Sequence, residues 1–338
     1  MCTDLKFLVC GGYGFIGSEF IRNHFEHNPN DEIINIDNLS LGSNKLNLET
    51  IENNSNYRFE EGNIIDIEFV KNLSKDVDVI INFAAETHVD RSIANPKPFI
   101  DTNIYGTFSL LEASKEFEKL FIHVSTDEIY GDLEKNAKPF SENDNLKPSN
   151  PYAATKASAD LLVQSYARTY KSNCIITRCT NNFGPFQFPE KLIPKTIIRA
   201  HKNLKIPLYG DGNQLRSWIF VTDHVQAIDL IAKKGLSGET YNISSWNEIS
   251  NRNIVEKILQ KMEKSTELIE FVEDRPGHDK RYSINYEKIK NQLGWSPQFN
   301  FEIALEKTVE WYLNNSKLWE PLVNEQTLHP QPWTLNWN

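Results

Sequence analysis

Two adjacent acidic residues, Asp127 and Glu128, follow an apolar run, 120–124, that is typical of a buried parallel strand. Tyr152 and Lys156 stand four residues apart and therefore share one face of the helix predicted over 151–170. Open parallel sheets bind their ligands at the carboxyl ends of the strands. The four side chains would supply an acid and a base for proton transfers on one substrate.

Three glycines, Gly12, Gly14 and Gly17, fit the pattern G-x-G-x-x-G between a predicted strand and a predicted helix. Asp37 ends the next predicted strand, 20 residues after Gly17. Such glycines let the backbone approach a pyrophosphate, and the N-terminus of the helix offers free N–H groups to its charge. Asp37 would accept hydrogen bonds from ribose hydroxyls and repel a 2′-phosphate. The pattern therefore predicts NAD as the cofactor, in preference to NADP.

Tyr152 and Lys156 indicate a catalytic pair only in combination with the glycine turn, because Tyr-x-x-x-Lys alone is common on surface helices. A free phenol has a pKa of about 10 and is a poor base at neutral pH. We expect Lys156 and the positive nicotinamide ring to favour the phenolate of Tyr152, which could then take a proton from a sugar hydroxyl. Asn150 and Pro151 suit the N-cap and the first position of the helix.

The adjacent carboxyl groups indicate an elimination, although a solvated acidic loop is the alternative interpretation of the pair by itself. Loss of water from a hexose needs a base for the C5 proton and an acid for the departing C6 hydroxyl. Oxidation of C4 to a ketone makes the C5 hydrogen acidic, and NAD+ accepts the hydride. Different environments would keep one of Asp127 and Glu128 protonated and the other ionised.

The elements that must position these residues alternate between apolar strands and amphipathic helices. Strands are predicted at 6–10, 32–37, 57–61, 77–83, 120–124 and 173–179, and helices at 16–27, 98–118 and 151–170. This alternation predicts an α/β fold, a doubly wound parallel Rossmann sheet with a smaller C-terminal α+β substrate-binding lobe. We expect residues 1–180, with a returning segment at about 219–245, to bind NAD, and residues 181–338 to bind mainly the substrate.

The second half shows weaker signals. Strands are predicted at 218–221 and 240–243, with a helix at 223–233 between them, and further helices at 254–262 and 301–313. The Asn- and Lys-rich tract 43–56 is predicted to be a solvated helix or loop. The segment from Gln326 onward is rich in Trp and Pro.

The bulk composition limits the possible partners. The 338 residues include 39% hydrophobic and 24% charged residues, with a formal net charge of −10, which argues against nucleic acid as a partner. We expect no membrane segment and a cytoplasmic location, because no apolar run approaches the ~18 residues of a spanning helix and Asp4 and Lys6 interrupt any signal sequence. We expect reduced thiols and no metal site, because no Cys-x-x-Cys spacing joins Cys2, Cys10, Cys174 and Cys179.

Seven motifs resemble those of the dTDP-glucose 4,6-dehydratases, which belong to the extended short-chain dehydrogenases. They occupy 10–17, 84–92, 125–132, 151–158, 181–185, 189–194 and 275–282, so the resemblance covers nearly the whole chain. The specific parts are the Thr-Asp-Glu triplet at 126–128 and the Arg-Pro-Gly-His-Asp run at 275–279. Epimerases and decarboxylases share the glycine turn and the Tyr/Lys pair.

The resemblance implies a role for each catalytic candidate. Tyr152 takes the O4 proton, Thr126 hydrogen-bonds near O4, and Lys156 holds the nicotinamide ribose. Glu128 removes the C5 proton and later returns it, and Asp127 protonates the leaving C6 hydroxyl. NAD+ is regenerated in each turnover. The family also implies a homodimer formed through helices 98–118 and 151–170.

Sequence position and resemblance together give two sets of binding candidates. The cofactor candidates are Gly11, Gly14, Phe15, Ile16, Gly17, Asp37, Asn38, Asn63, Ile64, Ala84, Ala85, Tyr152 and Lys156. The substrate candidates are His88, Asn182, Glu190, Lys191, Leu192, Tyr209, Arg216, Asn251, Arg275 and His278, of which the two arginines are natural partners for a diphosphate.

Departures from the family pattern keep alternatives open. Cys10 and Tyr13 replace the usual residues beside the glycine turn, Leu41 replaces an aromatic residue, and 37–43 resembles UDP-sugar epimerases and decarboxylases. The substrate is expected to be dTDP-glucose or a closely related sugar nucleotide, with UDP-glucose as an alternative. A UDP-sugar 4-epimerase or decarboxylase would not need the acid at Asp127. A non-catalytic NAD-binding sensor would not need the catalytic set at all.

Overall fold

The computed structural model describes residues 4–337, which form an α/β fold. The strands are β1 Lys6–Cys10, β2 Glu32–Asp37, β3 Tyr57–Glu61, β4 Val79–Asn82, β5 Leu120–Thr126, β6 Cys174–Cys179, β7 Asn181–Phe183, β8 Ile206–Tyr209, β9 Leu215–Phe220, β10 Thr240–Ile243, β11 Glu248–Ser250, β12 Ile269–Val272 and β13 Arg281–Tyr282. The α-helices are α1 Phe15–His27, α2 Ile67–Ser74, α3 Val89–Ala94, α4 Lys97–Phe99, α5 Thr107–Glu116, α6 Pro151–Tyr170, α7 Leu192–His201, α8 Val221–Lys234, α9 Asn251–Lys261, α10 Glu287–Leu293, α11 Phe301–Asn314 and α12 Ser316–Trp319.

The main sheet has seven parallel strands in the order β10-β6-β5-β4-β1-β2-β3. Its strand order reverses between β1 and β4, which is the switch point where doubly wound sheets bind ligands. The predicted fold class is therefore confirmed. The main sheet takes β10 from late in the chain, and the division into two binding domains stays a prediction.

Both faces of the main sheet are covered by helices, as the apolar strands require. Alternate residues of β1 point to opposite faces: Phe7 and Val9 belong to one buried core, and Leu8 and Cys10 to the other. Helices α1 and α8 pack against each other on the first face, and α2, α5 and α6 cover the second.

The predicted helix 98–118 is interrupted in the structure. A π-helix, Ile100–Gly106, lies between α4 and α5. Within it the buried Asn103 donates to the carbonyl oxygen of Glu86 at 3.0 Å and to Oγ1 of Thr155 at 3.0 Å. Wider helical turns of this kind often occur at functional sites, and this one ties α6 to the loop after β4.

The smaller lobe is built from short strands and three longer helices. Strand β9 pairs with β7, β11 and β13, and β8 pairs with β12. Helices α7, α9 and α11 close over them around a core that includes Trp218, Phe301 and Tyr312. The prediction placed a strand at 218–221, whereas β9 begins at Leu215 and ends at Phe220.

The tract 43–56 is less solvated than expected. It contains a 3₁₀ helix, Lys45–Leu48, in which Asn47 and Leu48 are buried. The Asn47 amide donates to the carbonyl oxygen of Tyr13 at 3.0 Å, which fastens the tract to the loop after β1.

The described residues also bear on the thiol, metal and membrane predictions. Cys10, Cys174 and Cys179 are buried free thiols, and Cys2 lies outside the described residues. Between residues 4 and 337, no group of three or more His, Cys, Asp or Glu side chains is placed to hold a metal ion. No helix in that range combines the length and the apolar character needed to cross a bilayer.

Candidate active site

The glycine turn between β1 and α1 brings the backbone close to the neighbouring strand. Gly11 has φ +81°, and a Cβ atom there would stand 2.7 Å from the backbone nitrogen of Ala84. A Cβ atom on Gly17 would stand 2.3 Å from the Gly11 carbonyl oxygen. Helix α1 begins at Phe15 without a side-chain cap on its N-terminal N–H groups. The turn thus leaves a backbone cradle open to an anionic group.

Asp37 is fixed at the end of β2 beside this cradle. Its Oδ2 accepts from the Tyr13 backbone N–H at 3.0 Å, and its Oδ1 accepts from the Leu39 N–H at 2.8 Å and the Ser43 hydroxyl at 2.7 Å. Burial raises the pKa of this carboxyl, and the three hydrogen bonds oppose that shift. A fixed carboxylate here favours a ribose diol and disfavours a phosphate.

The predicted cofactor residues come together in one cleft, named here the first compartment. Its walls include Gly11, Gly14, Phe15, Ile16, Gly17, Asp37, Asn38, Asn63, Ile64, Ala84, Ala85, Tyr152 and Lys156. Asn63 also caps a local turn, since its Oδ1 accepts from the Ile65 N–H at 3.1 Å. The glycine cradle, the fixed acid at Asp37 and the Tyr/Lys pair in one wall fit a bound NAD molecule.

Helix α6 presents Tyr152 and Lys156 to the first compartment. The helix begins as predicted, because the Asn150 side chain accepts from the Ala153 N–H at 2.9 Å and Pro151 occupies the first turn. Both site residues are buried. The Lys156 Nζ donates to the Val124 carbonyl oxygen at 2.7 Å, so the carboxyl end of β5 fixes the position of the ammonium group.

Burial dominates the proton affinities of this pair. It raises the pKa of Tyr152 well above its usual value, Glu128 and Cys179 raise it further, and a hydrogen bond with Thr126 opposes the shift. Burial also lowers the pKa of Lys156 to about 8. The lysine therefore does not by itself produce the phenolate expected from the sequence. A low Tyr152 pKa needs the additional positive charge of a nicotinamide ring.

The two neighbouring carboxyl groups lie in different surroundings at the end of β5. Asp127 is 2% exposed, whereas Glu128 is only partly buried. Burial, followed by the nearby charge of Glu128, raises the pKa of Asp127 to about 8. Its Oδ2 is buried without a hydrogen-bond partner among the described residues. A carboxyl in this state is protonated at neutral pH and can act as an acid.

Glu128 stands where two compartments meet. Its backbone N–H donates to Oγ1 of Thr126 at 3.3 Å, and its Oε2 accepts from the Asn150 amide at 3.4 Å. The residue lines the first compartment together with Tyr152, and it also lines an adjoining pocket, named here the second compartment. Glu128 can therefore reach a substrate that extends from one compartment into the other.

The predicted substrate residues line the second compartment or its junction with the first. The walls of the second compartment include His88, Glu190, Lys191, Leu192, Tyr209, Arg216, Asn251, Arg275 and His278, and Asn182 lies in the adjoining wall of the first. Several of these side chains are cationic. The second compartment is therefore suited to an anionic ligand, and a diphosphate between Arg216 and Arg275 meets that description.

Sequence reasoning missed Asp90, which holds two of these residues in place. Its Oδ1 accepts from Arg275 Nη1 at 2.9 Å, and its Oδ2 accepts from the Tyr209 hydroxyl at 2.8 Å. Burial would raise the pKa of Asp90, but Arg275 and His88 beside it hold that pKa well below its usual value. The signal lay in the motif 84–92, within which no role for Asp90 was inferred.

A second missed group surrounds Glu190. Arg91 donates to Glu86 at 2.9 Å and to Glu190 at 3.3 Å, all three being largely buried. His88 adjoins this group, and burial lowers its pKa to about 4, so the imidazole is neutral at pH 7. The ion pairs fix the acceptor Glu190 at the junction of the two compartments.

His224 is a further missed residue, and no local motif marks it. It is buried in α8, and its Nδ1 lies 2.9 Å from Oδ1 of Asn182. Asn182 in turn donates to the Thr180 carbonyl oxygen at 2.9 Å. The two contacts engage both the oxygen and the nitrogen of the Asn182 side-chain amide and so fix its orientation.

Comparisons with known proteins agree with this geometry. A family model described as GDP-mannose 4,6 dehydratase matches residues 8–308. The low-salt glycan biosynthesis protein Agl12 of Haloferax volcanii is 48% identical, over 92% of this chain and 99% of its own. The dTDP-glucose 4,6-dehydratase 1 of Escherichia coli K12 is 42% identical, over 93% of this chain and 94% of its own.

A solved structure gives the same result in three dimensions. The crystal structure of dTDP-glucose 4,6-dehydratase from Bacillus anthracis, in complex with NAD, matches with a TM-score of 0.89 and 44% identity. The match covers 94% of this chain and 100% of that one.

Proposed function

The chain belongs to the sugar-nucleotide 4,6-dehydratase family, and on that premise we propose that it converts dTDP-glucose to dTDP-4-keto-6-deoxyglucose with NAD as its cofactor. The observation that carries the proposal is the buried carboxyl of Asp127. Its pKa of about 8 provides a proton donor beside Glu128, in the same compartment as Tyr152 and the glycine turn. An epimerase or a decarboxylase has no use for that donor.

We assign residues 1–180, with the returning segment at about 219–245, to NAD binding, and residues 181–338 mainly to sugar-nucleotide binding. The fit of the first compartment to NAD rests on the glycine cradle and on Asp37. Bound NAD+ supplies the hydride acceptor for C4 and returns the hydride to C6. The protein itself holds the hexose in place and moves the protons.

Tyr152 takes the proton of the C4 hydroxyl at its phenolic oxygen. Thr126 ends β5 and lines the first compartment together with Tyr152, which supports its assignment to a hydrogen bond near O4. Lys156 holds the nicotinamide ribose and contributes positive charge near the phenol. These assignments give C4 oxidation its base and its orientation.

Glu128 then removes the C5 proton, and Asp127 gives its proton to the C6 hydroxyl, which leaves as water. Glu128 returns its proton to C5 when C6 is reduced. Over one turnover Tyr152 gains a proton and Asp127 loses one. Both residues therefore exchange a proton with solvent before the next cycle.

The second compartment binds the nucleotide end of the substrate in this proposal. Arg216 and Arg275 face the diphosphate, and Arg275 retains a buried Nε without a partner among the described residues. His88, Asn182, Glu190 and Lys191 hold the hexose near Glu128. The remaining substrate residues are Leu192, Tyr209, Asn251 and His278.

UDP-glucose is a second candidate substrate, because the segment 37–43 resembles that of UDP-sugar enzymes and its Leu41, in place of the family's aromatic residue, lies in the wall of the first compartment. The two nucleotides differ by one methyl and one hydroxyl group. The proposed reaction is the same for both.

We further propose a homodimer in the cytoplasm. Four apolar side chains are exposed on the π-helix and on α6, namely Ile100, Tyr105, Leu161 and Tyr170. They lie within the two helical regions through which the family forms its dimers. Three buried free thiols support a reducing compartment.

The decisive experiment incubates the purified protein with dTDP-glucose and, separately, with UDP-glucose and follows product mass. Loss of one water without accumulation of NADH is the expected result. A product of unchanged mass would replace the dehydratase by an epimerase. A protein that binds NAD but changes neither substrate would contradict the proposal.

A further inference from the structure

The segment rich in Trp and Pro, residues 326–337, packs against Tyr209 and Lys195, which line the second compartment, and the proposed function gives it no role. We propose that this segment is a strap that positions the walls of the second compartment for the nucleotide diphosphate. The inference rests on the proposed function. Trp333 and Trp337 are its positioning residues.

Trp333 supports Tyr209 directly. Its ring meets the Tyr209 ring edge-on at 90°, with the centroids 4.8 Å apart. Tyr209 donates its hydroxyl hydrogen to Asp90, and Asp90 accepts from Arg275. Loss of the Trp333 ring would therefore leave the Tyr209 ring without this support. Tyr209 helps to orient the carboxylate of Asp90, which binds Arg275.

The strap also holds a lysine of the same pocket. The Nζ of Lys195, a buried residue in the wall of the second compartment, donates to the His329 carbonyl oxygen at 3.2 Å. Arg199, one helical turn further along α7, donates to the Leu328 carbonyl oxygen at 2.5 Å. These two contacts fasten the start of the strap to α7.

Trp337 contacts the Glu190 group. The Arg91 guanidinium carbon lies 5.7 Å from the Trp337 ring centroid, and the same guanidinium pairs with Glu86 and Glu190. Asn95, which follows α3, donates to the Trp337 carbonyl oxygen at 3.2 Å. The far end of the strap thus stabilises the acceptor at the junction of the compartments.

The strap has a defined shape of its own. Pro332 is buried, its 3₁₀ turn Pro332–Thr334 packs against α3, and the Trp337 indole donates to the Pro332 carbonyl oxygen at 2.8 Å. Its contacts with Tyr209 and Lys195 reach the second compartment, and its contact with Arg91 reaches Glu190 at the junction. We therefore expect it to govern nucleotide affinity and to leave NAD binding unchanged.

The test compares Trp333→Ala, Trp333→Phe and Trp337→Ala with a control, Trp246→Ala, which removes an exposed ring that packs on Tyr286 outside the cleft. Calorimetry measures the Kd of dTDP and the Kd of NAD+ for each protein. Steady-state kinetics give KM and kcat for dTDP-glucose, and thermal melting checks the fold.

Trp333→Ala is expected to raise the Kd of dTDP and the KM of dTDP-glucose about fivefold, with kcat and the Kd of NAD+ changed less than about twofold. Trp333→Phe should restore most of the affinity, because a phenyl edge still meets Tyr209. Trp337→Ala should raise the KM of dTDP-glucose about threefold through Arg91 and Glu190, because Glu190 holds the hexose in the proposed function, and should leave the Kd of dTDP close to that of the control.

The proposal is contradicted if Trp333→Ala binds dTDP as Trp246→Ala does and Trp337→Ala has the same KM for dTDP-glucose as Trp246→Ala, or if NAD+ affinity falls in parallel with dTDP affinity. A wild-type protein that binds dTDP but releases no water would refute the proposed function, while the Kd values still decide the strap. If the wild-type protein binds UDP and not dTDP, the nucleotide assigned to the second compartment is UDP. The Kd of UDP in the same variants then decides the proposal by the same criteria. Binding of neither nucleotide would refute both inferences.

Discussion

The two compartments of the cleft are built in different ways. The first is assembled from the ends of neighbouring parallel strands, and the contacts of Asp37 there reach residues no more than 24 positions away, namely Leu39, Ser43 and Tyr13. The second is assembled from distant segments: Asp90 and Arg275 are 185 residues apart. A compartment at strand ends can be recognised from sequence spacing, whereas one held together by long-range ion pairs cannot.

Two buried aspartates show the same contrast in their electrostatics. Asp127 and Asp90 are 2% and 3% exposed. Burial raises the pKa of Asp127 to about 8, whereas Arg275 and His88 overcome burial and hold the pKa of Asp90 far below its usual value. A paired acid is an ionised structural anchor, and an unpaired one is a proton donor.

The largest expected effect comes from removing the proton donor of the first compartment. Asp127→Asn should slow water loss by about 10²–10⁴-fold, because a positioned acid contributes that much and an amide cannot replace it. C4 oxidation, followed as transient NADH absorbance, should be far less affected. The control is Asp76→Asn, which changes an exposed acid beyond the cleft. Equal slowing of both steps would contradict the assigned role.

The next effect concerns the anchor of the second compartment. Asp90→Asn should weaken dTDP binding by about 10- to 100-fold, because Arg275 loses its carboxylate and Tyr209 loses a charged acceptor. The free energy of unfolding should fall by about 3 kcal/mol, as is usual when a buried ion pair is broken. NAD+ affinity should stay the same. Glu273→Gln, at an exposed position near Arg275, is the matched control.

If NAD+ affinity in Asp90→Asn fell as far as dTDP affinity, the two compartments would not be independent and the comparison would fail.

The pH dependence of the two reaction steps should distinguish the proton donor Asp127 from Lys156 in the same compartment. Because its folded pKa is raised, Asp127 is protonated well below pH 8 and loses its proton above that value. Water loss measured in single turnovers should therefore decline about tenfold per pH unit above pH ~8. Lys156 also titrates near pH 8, but its effect belongs to C4 oxidation.

Asp127→Asn should consequently lose the alkaline decline in the water-loss step and keep that in the oxidation step. Persistence of the decline in both steps would assign the titration to Lys156.

The smallest expected effect tests Asp37. Asp37→Asn should raise the Kd of NAD+ about three- to tenfold, because one acceptor oxygen becomes a donor that faces the N–H of Tyr13 or Leu39. The Kd of NADP+ should change less or improve, because the charge that repels its 2′-phosphate is gone. Calorimetry of both cofactors checks this, and an unchanged ratio of the two Kd values would remove Asp37 from cofactor selection.

Much of the first compartment was predictable because short patterns determine it. The apolar runs of β1, β2 and β3 have the bounds that the sequence indicates, and the glycine turn lies directly after β1. The predicted α-helix 98–118 was wrong near its start, where the π-helix Ile100–Gly106 turns Asn103 toward Glu86 and Thr155. Those partners lie elsewhere in the chain, so no local pattern marks the distortion.

The smaller lobe was less predictable for a physical reason. Strands of two to four residues, such as β7, β11 and β13, are too short to show an alternating pattern, and pairing with β9 stabilises them. The candidate substrate residues were predicted from the resemblance. The structure adds what holds them, namely Asp90 for Arg275 and His224 for Asn182.

The shared wall formed by Glu128, Glu190 and Lys191 has a kinetic consequence. Because Glu128 lines both compartments, a hexose that reaches it would border the site of the nicotinamide in the first compartment. Association should therefore be ordered, with the dinucleotide entering first and departing last. A cycle that regenerates its own oxidant suits such an arrangement, because the coenzyme never has to leave between successive sugars.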